Sequence, residues 1–291
     1  MSKLLVLKGL QASGKTTFAK SLVKDSGNYF RLNRDDLRAM MFDSKWTRER
    51  EKVVIEVEMS MAKTILEHGY SVVVDDTGFR DPGWNEIAPA ILETKTFDTT
   101  LEECIRRDAL RENPVGRNVI TKTAARNGLI EWTKPIVICD IDGTLAQNGK
   151  RLEYLKQEKK NWDSYYHLLH EDTPIIPIFK WMSELSKENH IVLVSGRPDT
   201  YLEKTLSWFQ SIWSPRPLFR ETEVPKFLIY QVFFRDRSDG RPDFQVKKDI
   251  LNLLPREKVW LVADDRPQVL KMWRDEKIPW VIAVGGEQED F

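Results

Sequence analysis

The 291-residue chain is longer than one open-sheet domain needs and comfortable for two, and 31% charged with 41% hydrophobic residues is a globular composition. Basic and acidic residues balance at 45 each, so a protein basic throughout is excluded and any nucleic-acid site must be a local patch. No apolar run is long enough to span a bilayer, the run between Lys3 and Lys8 reads as a first strand and not as a signal region, and the widely separated Cys104 and Cys139 read as reduced thiols, so a cytoplasmic location is expected.

Leu4 to Leu7 is an apolar strand that runs directly into Gly9-Leu10-Gln11-Ala12-Ser13-Gly14-Lys15-Thr16. This is the phosphate-loop pattern G-x-x-x-x-G-K-[ST] in its required context, strand before and helix after. The helix is predicted from Lys15 to about Lys24, with Phe18, Ala19 and Leu22 on one face. The glycines let backbone N–H groups approach a phosphate, Lys15 reaches the β and γ phosphates, and the Thr16 hydroxyl is offered to Mg²⁺. Gly9, Gly14, Lys15, Thr16 and Thr17 are therefore the candidate ATP contacts. The competing reading is a glycine-rich strand–helix turn that holds nothing.

Tyr29 to Leu32 reads as a second strand, ending in Asn33-Arg34-Asp35-Asp36-Leu37-Arg38. Asn33 or Asp35 could cap the next helix. The end of the second strand in a phosphate-loop fold faces the γ-phosphate, however, so Asp35 can take the proton of an attacking hydroxyl and Arg38 can hold a phosphate of the acceptor. Lys45 to His68 reads as a long amphipathic helix with Val53, Val54, Val57, Met61 and Ile65 spaced for burial, closed by Gly69. Ser71 to Asp75 is a third strand ending in Asp75-Asp76-Thr77-Gly78, whose carboxylates hold Mg²⁺ through water, steer the acceptor, or cap a helix starting at Asp81-Pro82. Thr94 to Phe97 is a fourth strand. From Cys104 to Arg126 the chain then carries Arg106, Arg107, Arg111, Arg117, Lys122 and Arg126 against only Asp108 and Glu112. A solvated helical face would account for this run, and so would a lid whose arginines meet a transferring phosphate. Arg107 and Arg111 share one helical face.

Phosphate loop, Leu32-to-Arg38 run, Asp76-Thr77 strand end and arginine-rich lid together resemble the kinase half of the T-even phage-type bifunctional polynucleotide 5′-kinase/3′-phosphatases. The resemblance implies Asp35 as general base, Arg38 as the grip on the terminal nucleotide's 3′-phosphate and Asp76 as the strand-end carboxylate. For the lid it implies Arg111 first, with Arg107 and Arg117 as alternatives. Thr16 stands where the prototype has serine.

After a Lys134-Pro135 linker, Ile136 to Cys139 is a buried parallel strand that ends in Asp140-x-Asp142-Gly143-Thr144. Two carboxylates at a strand's carboxyl end sit where open α/β sheets place their chemistry. Asp140 can attack phosphorus to form an acyl phosphate, and Asp142 can protonate the leaving oxygen and later activate water. Carboxylates crowded against a phosphate call for a divalent cation, Mg²⁺. Strands at Ile191 to Val194, Phe227 to Phe234 and Val259 to Val262 follow. The first ends in Ser195-Gly196-Arg197, a helix after the second opens with Asp243-x-x-x-Lys247, and the third ends in Asp264-Asp265-Arg266.

In that order the four motifs resemble haloacid-dehalogenase-type phosphotransferases and the phosphatase half of the same bifunctional family. The resemblance implies Asp140 as nucleophile, Asp142 as general acid/base, Ser195, Gly196 and Arg197 as phosphate contacts, Asp243 and Lys247 as the third motif, and Asp264 and Asp265, with Asp140 and Asp142, at the metal. It also implies an arginine soon after the first motif, matched by Arg151 beside Lys150. Trp162, Tyr165, Tyr166 and His167 lie in a segment that departs from the prototype and reads either as an acceptor platform or as a packing helix.

The expected organisation is two α/β parallel-sheet domains, a phosphate-loop kinase at 1–132 and a Rossmann-like phosphatase at 133–291. The resemblance implies ATP-dependent phosphorylation of a 5′-hydroxyl and removal of a 3′-phosphate on RNA or DNA ends, with functional coupling to a ligase, a homo-oligomeric state, no membrane, and a host-cytoplasmic setting if phage-encoded. Two rivals are a small-metabolite kinase fused to a metabolite phosphatase and a nucleotide-switched binding protein. The Asn33-to-Arg38 run and basic lid argue against the first, and the intact carboxylates Asp35, Asp140 and Asp142 against the second.

Overall fold

In a computed structural model the chain divides into two compact units, residues 1–123 and 124–291. The structure describes residues 2–87, 90–156, 158–214 and 224–285.

In the first unit, β1 (Lys3–Lys8), β2 (Tyr29–Leu32), β3 (Ser71–Val74) and β4 (Ile91–Thr96) form a parallel sheet in the order β2-β3-β1-β4. The first two crossovers carry helices, α1 (Lys15–Ser26) after β1, then α2 (Arg34–Phe42) and α3 (Arg48–Glu67) after β2. Beyond β4 come α4 (Leu101–Asp108) and α5 (Arg117–Arg126), the latter running across the division in sequence. The central strands β1 and β3 are apolar on both faces because helices cover both. On one face Ala19 of α1 is buried with Phe18 and Leu22 beside it, as its spacing predicts.

Three expectations change. The buried stripe of α3 is Val54, Glu58, Ala62 and Leu66, while Val53 and Met61 face solvent. An i, i+4 stripe containing a glutamate is invisible to an apolar count; Glu58 enters because Arg34 meets it there at 2.7 Å. Among the described residues no regular helix starts at Asp81: its carboxylate accepts hydrogen bonds from the N–H groups of Gly83 and Trp84, both 2.8 Å, and supports a single turn, Trp84–Glu86. The fourth strand begins at Ile91, earlier than its apolar content suggests, because an edge strand needs only one covered side.

The second unit has a parallel sheet in the order β11-β10-β5-β8-β9, built from β5 (Ile136–Cys139), β8 (His190–Pro198), β9 (Ile229–Arg235), β10 (Val259–Asp264) and β11 (Trp280–Ala283). A small antiparallel pair, β6 (Ala146–Gln147) and β7 (Thr173–Pro174), brackets α6 (Trp162–His167). The helices α7 (Ile176–Leu185), α8 (Leu202–Ile212), α9 (Asp243–Leu251) and α10 (Pro267–Asp275) join the sheet strands. Phe179, Trp208 and Phe209 from α7 and α8 pack with Val137, Ile191 and Leu193 of β5 and β8. The central strand β5 is wholly buried, so its carboxyl end delivers Asp140 into the interior edge of the sheet. Among the described residues no helix is long and apolar enough to cross a membrane.

Candidate active sites

In the first unit, Gly14 takes a left-handed φ of 103° and caps α1, a conformation that favours glycine. The Lys15 ammonium is folded back on its own loop, donating to the carbonyls of Gly9 (3.0 Å) and Leu10 (2.6 Å) and to Ser13 Oγ (3.2 Å). Burial lowers its pKa, against the pull of Asp75. The Thr16 hydroxyl donates to Asp75 Oδ1 at 3.2 Å, and Asp75 also accepts from Arg31 at 2.7 Å. It is thus Asp75, and not Asp76, that stands beside the phosphate loop, a distinction two adjacent aspartates in sequence do not disclose. Asp76 accepts from the backbone N–H of Arg34 (3.1 Å) and lies 3.0 Å from its guanidinium. Burial and the neighbouring Asp76 push Glu58 up to about 8, against the pull of Arg34. The chain can make this turn only because Gly78 passes directly under β1: a Cβ there would lie 2.2 Å from the Leu7 carbonyl oxygen.

Asn33 is the cap of α2, accepting from the Asp36 N–H at 3.0 Å. Asp35 is released from that duty. Its carboxylate is exposed and accepts from Arg38 at 2.6 Å, while Arg38 is also held by Glu51 at 2.8 Å. In the lid, Arg107 pairs with Glu103 at 2.6 Å, and its guanidinium comes within 4.0 Å of where a Cβ on Gly14 would stand. Arg111 pairs with Asp108 at 3.4 Å and lies close enough for its charge to act on Lys15. Asp108 also accepts from the N–H groups of Val115 (3.3 Å) and Gly116 (2.8 Å), fixing the turn that leads to Arg117 at the start of α5. Thr17 occupies the first turn of α1 beside Thr16.

In the second unit all four motifs converge at the carboxyl ends of β5, β8 and β10. Lys247, buried on α9, donates to Asp140 at 2.7 Å and to Asp264 at 2.9 Å, and stands 3.5 Å from Asp243. Two glycines make the approach possible. A Cβ on Gly143 would lie 2.0 Å from Asp265 Oδ2, and one on Gly196 would lie 2.2 Å from Asp243 Oδ1.

Carboxylate oxygens of Asp140, Asp264 and Asp265 lie within 4.8 Å of one another. Burial, joined by Asp264 and Asp265, pushes Asp140 well above the usual carboxylate range against the pull of Lys247. Burial and Asp264 push Asp265 up to about 7. Asp265 Oδ1 is buried with no hydrogen-bond partner. Three crowded hard oxygen donors, one of them unsatisfied, fit a divalent cation.

Asp142 is not in that group. Arg197 grips its carboxylate with two bonds of 2.7 and 2.8 Å, and Arg151 adds a third. Burial disfavours its charge, yet the Arg197 and Arg151 guanidinium groups hold its carboxyl well below the usual range. Both arginines are buried, and both are anchored by Asp172, which accepts from Arg151 at 2.5 and 2.6 Å and from Arg197 at 3.1 Å. Among the described side chains that soon follow the first motif, Arg151 is the one that meets Asp142. Asp172 itself carries no motif signal, being the second of two adjacent acids just past the segment read as a platform or a packing helix. Ser195 is buried, its Oγ accepting from the Arg197 N–H at 3.2 Å.

Asp172→Asn should lower unfolding stability by about 3 kcal/mol in urea titrations, because breaking a buried ion pair leaves arginine charge uncompensated. A loss under about 1 kcal/mol would show that Asp142 alone suffices to hold both arginines.

Among known proteins, a family model described as "AAA domain" matches residues 4–135, and one described as "Polynucleotide kinase PNKP phosphatase domain" matches residues 134–286. A curated relative from Autographa californica nuclear polyhedrosis virus, "Putative bifunctional polynucleotide kinase/RNA ligase", is 27% identical over 327 aligned residues. The alignment takes in 99% of this chain and only 43% of that relative, so the chain spans less than half the relative's length. Among solved structures, a chain of "Structure of the Pnkp1/Rnl/Hen1 RNA repair complex" is 24% identical with a TM-score of 0.39, covering 97% of this chain and 96% of that one. "Crystal structure of APE1195" gives 22% identity and a TM-score of 0.31 over 38% of this chain and 67% of that one. More than half of the chain lies within the phosphatase match, and the chain belongs to the polynucleotide kinase PNKP phosphatase-domain family.

Proposed function

We propose that this protein heals nucleic-acid ends: its first unit transfers the γ-phosphate of ATP to a 5′-hydroxyl, and its second hydrolyses a terminal 3′-phosphate. The observation that carries the reading is the placing of two carboxylates at the end of β5 in different company. Asp140 lies on Lys247 beside the cation-fitting acids, and Asp142 lies on two arginines.

In the phosphatase half, an Asp140 carboxylate oxygen attacks phosphorus, the bond from phosphorus to the 3′-oxygen breaks, and Asp142 supplies the proton that the leaving oxygen takes up. Its arginines favour the ionised form, but an arriving phosphate anion beside it opposes ionisation and loads the proton. Once the nucleic acid has left, ionised Asp142 takes the proton of the water that attacks the acyl phosphate and restores Asp140. Ser195, Gly196 and Lys247 hold the phosphoryl oxygens, while Arg197 keeps to Asp142. Asp140, Asp264 and Asp265 would hold Mg²⁺, which when bound neutralises charge on the phosphoryl group.

In the kinase half, Asp35 takes the proton of the 5′-hydroxyl as its oxygen attacks the γ-phosphorus and the bond to ADP breaks. Arg38 grips the acceptor's phosphate, the loop from Gly9 to Thr17 cradles the nucleotide, and Arg107 and Arg111 meet the transferring charge. Thr16 and Asp75 would hold the nucleotide's cation, with Asp76 and Arg34 fixing the strand end. The viral relative's name joins a polynucleotide kinase to an RNA ligase, so RNA ends passed on to a ligase are the favoured setting.

Purified protein given RNA and DNA oligonucleotides with a 5′-hydroxyl and a 3′-phosphate, each end followed separately, tests both halves. Asp35→Ala should slow 5′-phosphorylation by about 10²-fold or more while 3′-phosphate release continues. Undiminished 5′-phosphorylation in that variant would remove Asp35 from the reaction.

A further inference from the structure

The cavity over Asp140 and Asp142 is larger than a phosphate needs, about 540 Å³, and its walls differ in chemistry. Trp162, the first residue of α6, lines it. Its ring stacks on Tyr166 at 5.9 Å and 22°, and Tyr166 stacks on Tyr201 at 4.8 Å and 27°. Tyr165 and Tyr166 are buried and do the packing, Tyr165 covering the Arg151 guanidinium at 4.2 Å. Trp162, in contrast, is 40% exposed although it lines the cavity. An indole backed by a fixed aromatic stack and left open to a charged cavity gains nothing for the core. The lining also includes Arg241, half exposed and paired with Asp239 and Asp249 at 2.7 Å, and Arg266, whose guanidinium comes no nearer to a carboxylate than 3.8 Å from Asp243 among the described residues.

Acids that meet phosphorus, a flat apolar ring and cations in the lining of one cavity match the three parts of a nucleotide at a chain end. We propose that Trp162 is the platform on which the 3′-terminal nucleobase stacks while its 3′-phosphate reaches Asp140, with Arg241 and Arg266 facing the sugar–phosphate backbone. The proposal rests on the end-healing reading of the same site and deepens it. The phosphatase selects single-stranded 3′ ends that carry a base and discriminates little among bases, because stacking uses the π face that all of them share.

The test compares two 3′-phosphorylated oligonucleotides that are identical except that one ends in a nucleotide and the other in an abasic residue. In the parent protein kcat/KM should favour the base-bearing end by roughly ten- to a hundred-fold, the worth of one stacked base. Trp162→Ala should bring the ratio close to one, with the change in KM rather than kcat, and Trp162→Phe should keep most of it. A merely structural tryptophan would slow both substrates alike and leave the ratio where it was. If the parent protein hydrolyses both ends but the ratio is near one, or survives in Trp162→Ala, the platform is overturned and end healing stands. If the parent protein releases phosphate from neither end, the end-healing reading falls and the platform falls with it.

Discussion

Asp140→Asn is expected to lower 3′-phosphate release by about 10⁴-fold or more while 5′-phosphorylation proceeds at the parent rate. An amide is nearly isosteric with the carboxylate but has no anionic oxygen to form the acyl phosphate, so the nucleophile alone is removed. Stability should hold, because Lys247 keeps its bond to Asp264 and the crowd of carboxylates at Asp140, Asp264 and Asp265 loses one negative charge. Urea unfolding run beside the two assays separates the outcomes. If a folded Asp140→Asn protein still releases phosphate within ten-fold of the parent rate, Asp140 is not the nucleophile and the proposed chemistry fails.

Lys15→Ala should show the mirror image, a loss of about 10³-fold or more in 5′-phosphorylation with 3′-phosphate release retained. The Lys15 ammonium is buried and bonded only to loop oxygens, those of Gly9, Leu10 and Ser13. A cation held at the mouth of a phosphate loop by neutral acceptors is ready to exchange them for phosphate oxygens, a stronger charge-assisted contact. Alanine leaves those acceptors to water and removes the charge that offsets a γ-phosphate in transfer. Measuring ATP affinity with the rate distinguishes binding from chemistry: loss confined to KM for ATP would assign Lys15 to nucleotide capture alone.

Single-residue detail divides cleanly between what is local and what is not. The phosphate loop was legible because its pattern, strand and helix are contiguous, and the same holds for Asp140-x-Asp142-Gly143 at the end of an unbroken apolar strand. A strand that must be buried ends where the sheet ends, so residues just past it are delivered to the edge where ligands bind. The helix cap at Asn33 is equally local, and the geometry resolves it from Asp35 without reference to anything distant.

Elsewhere the tertiary structure decided. Glu58 sits on a helix whose apolar spacing pointed to Val53 and Met61, but burial followed Arg34, a residue on another helix. Asp75 and Asp76 are indistinguishable as neighbours; β3 turns one toward Thr16 and the other toward Arg34.

By itself, then, the sequence determined two parallel-sheet units and the motifs at their strand ends, because hydrophobic runs, glycine turns and helix caps act over a few residues. Only the tertiary structure decided the charge state and company of those residues. Asp142 is held toward its ionised form by Arg151 and Arg197, which Asp172 anchors, and these positions spread along the chain meet only in the folded sheet. Trp162 shows the same division: its ring could have joined the core with Tyr165 and Tyr166, and it is the stack behind it that leaves it facing the cavity.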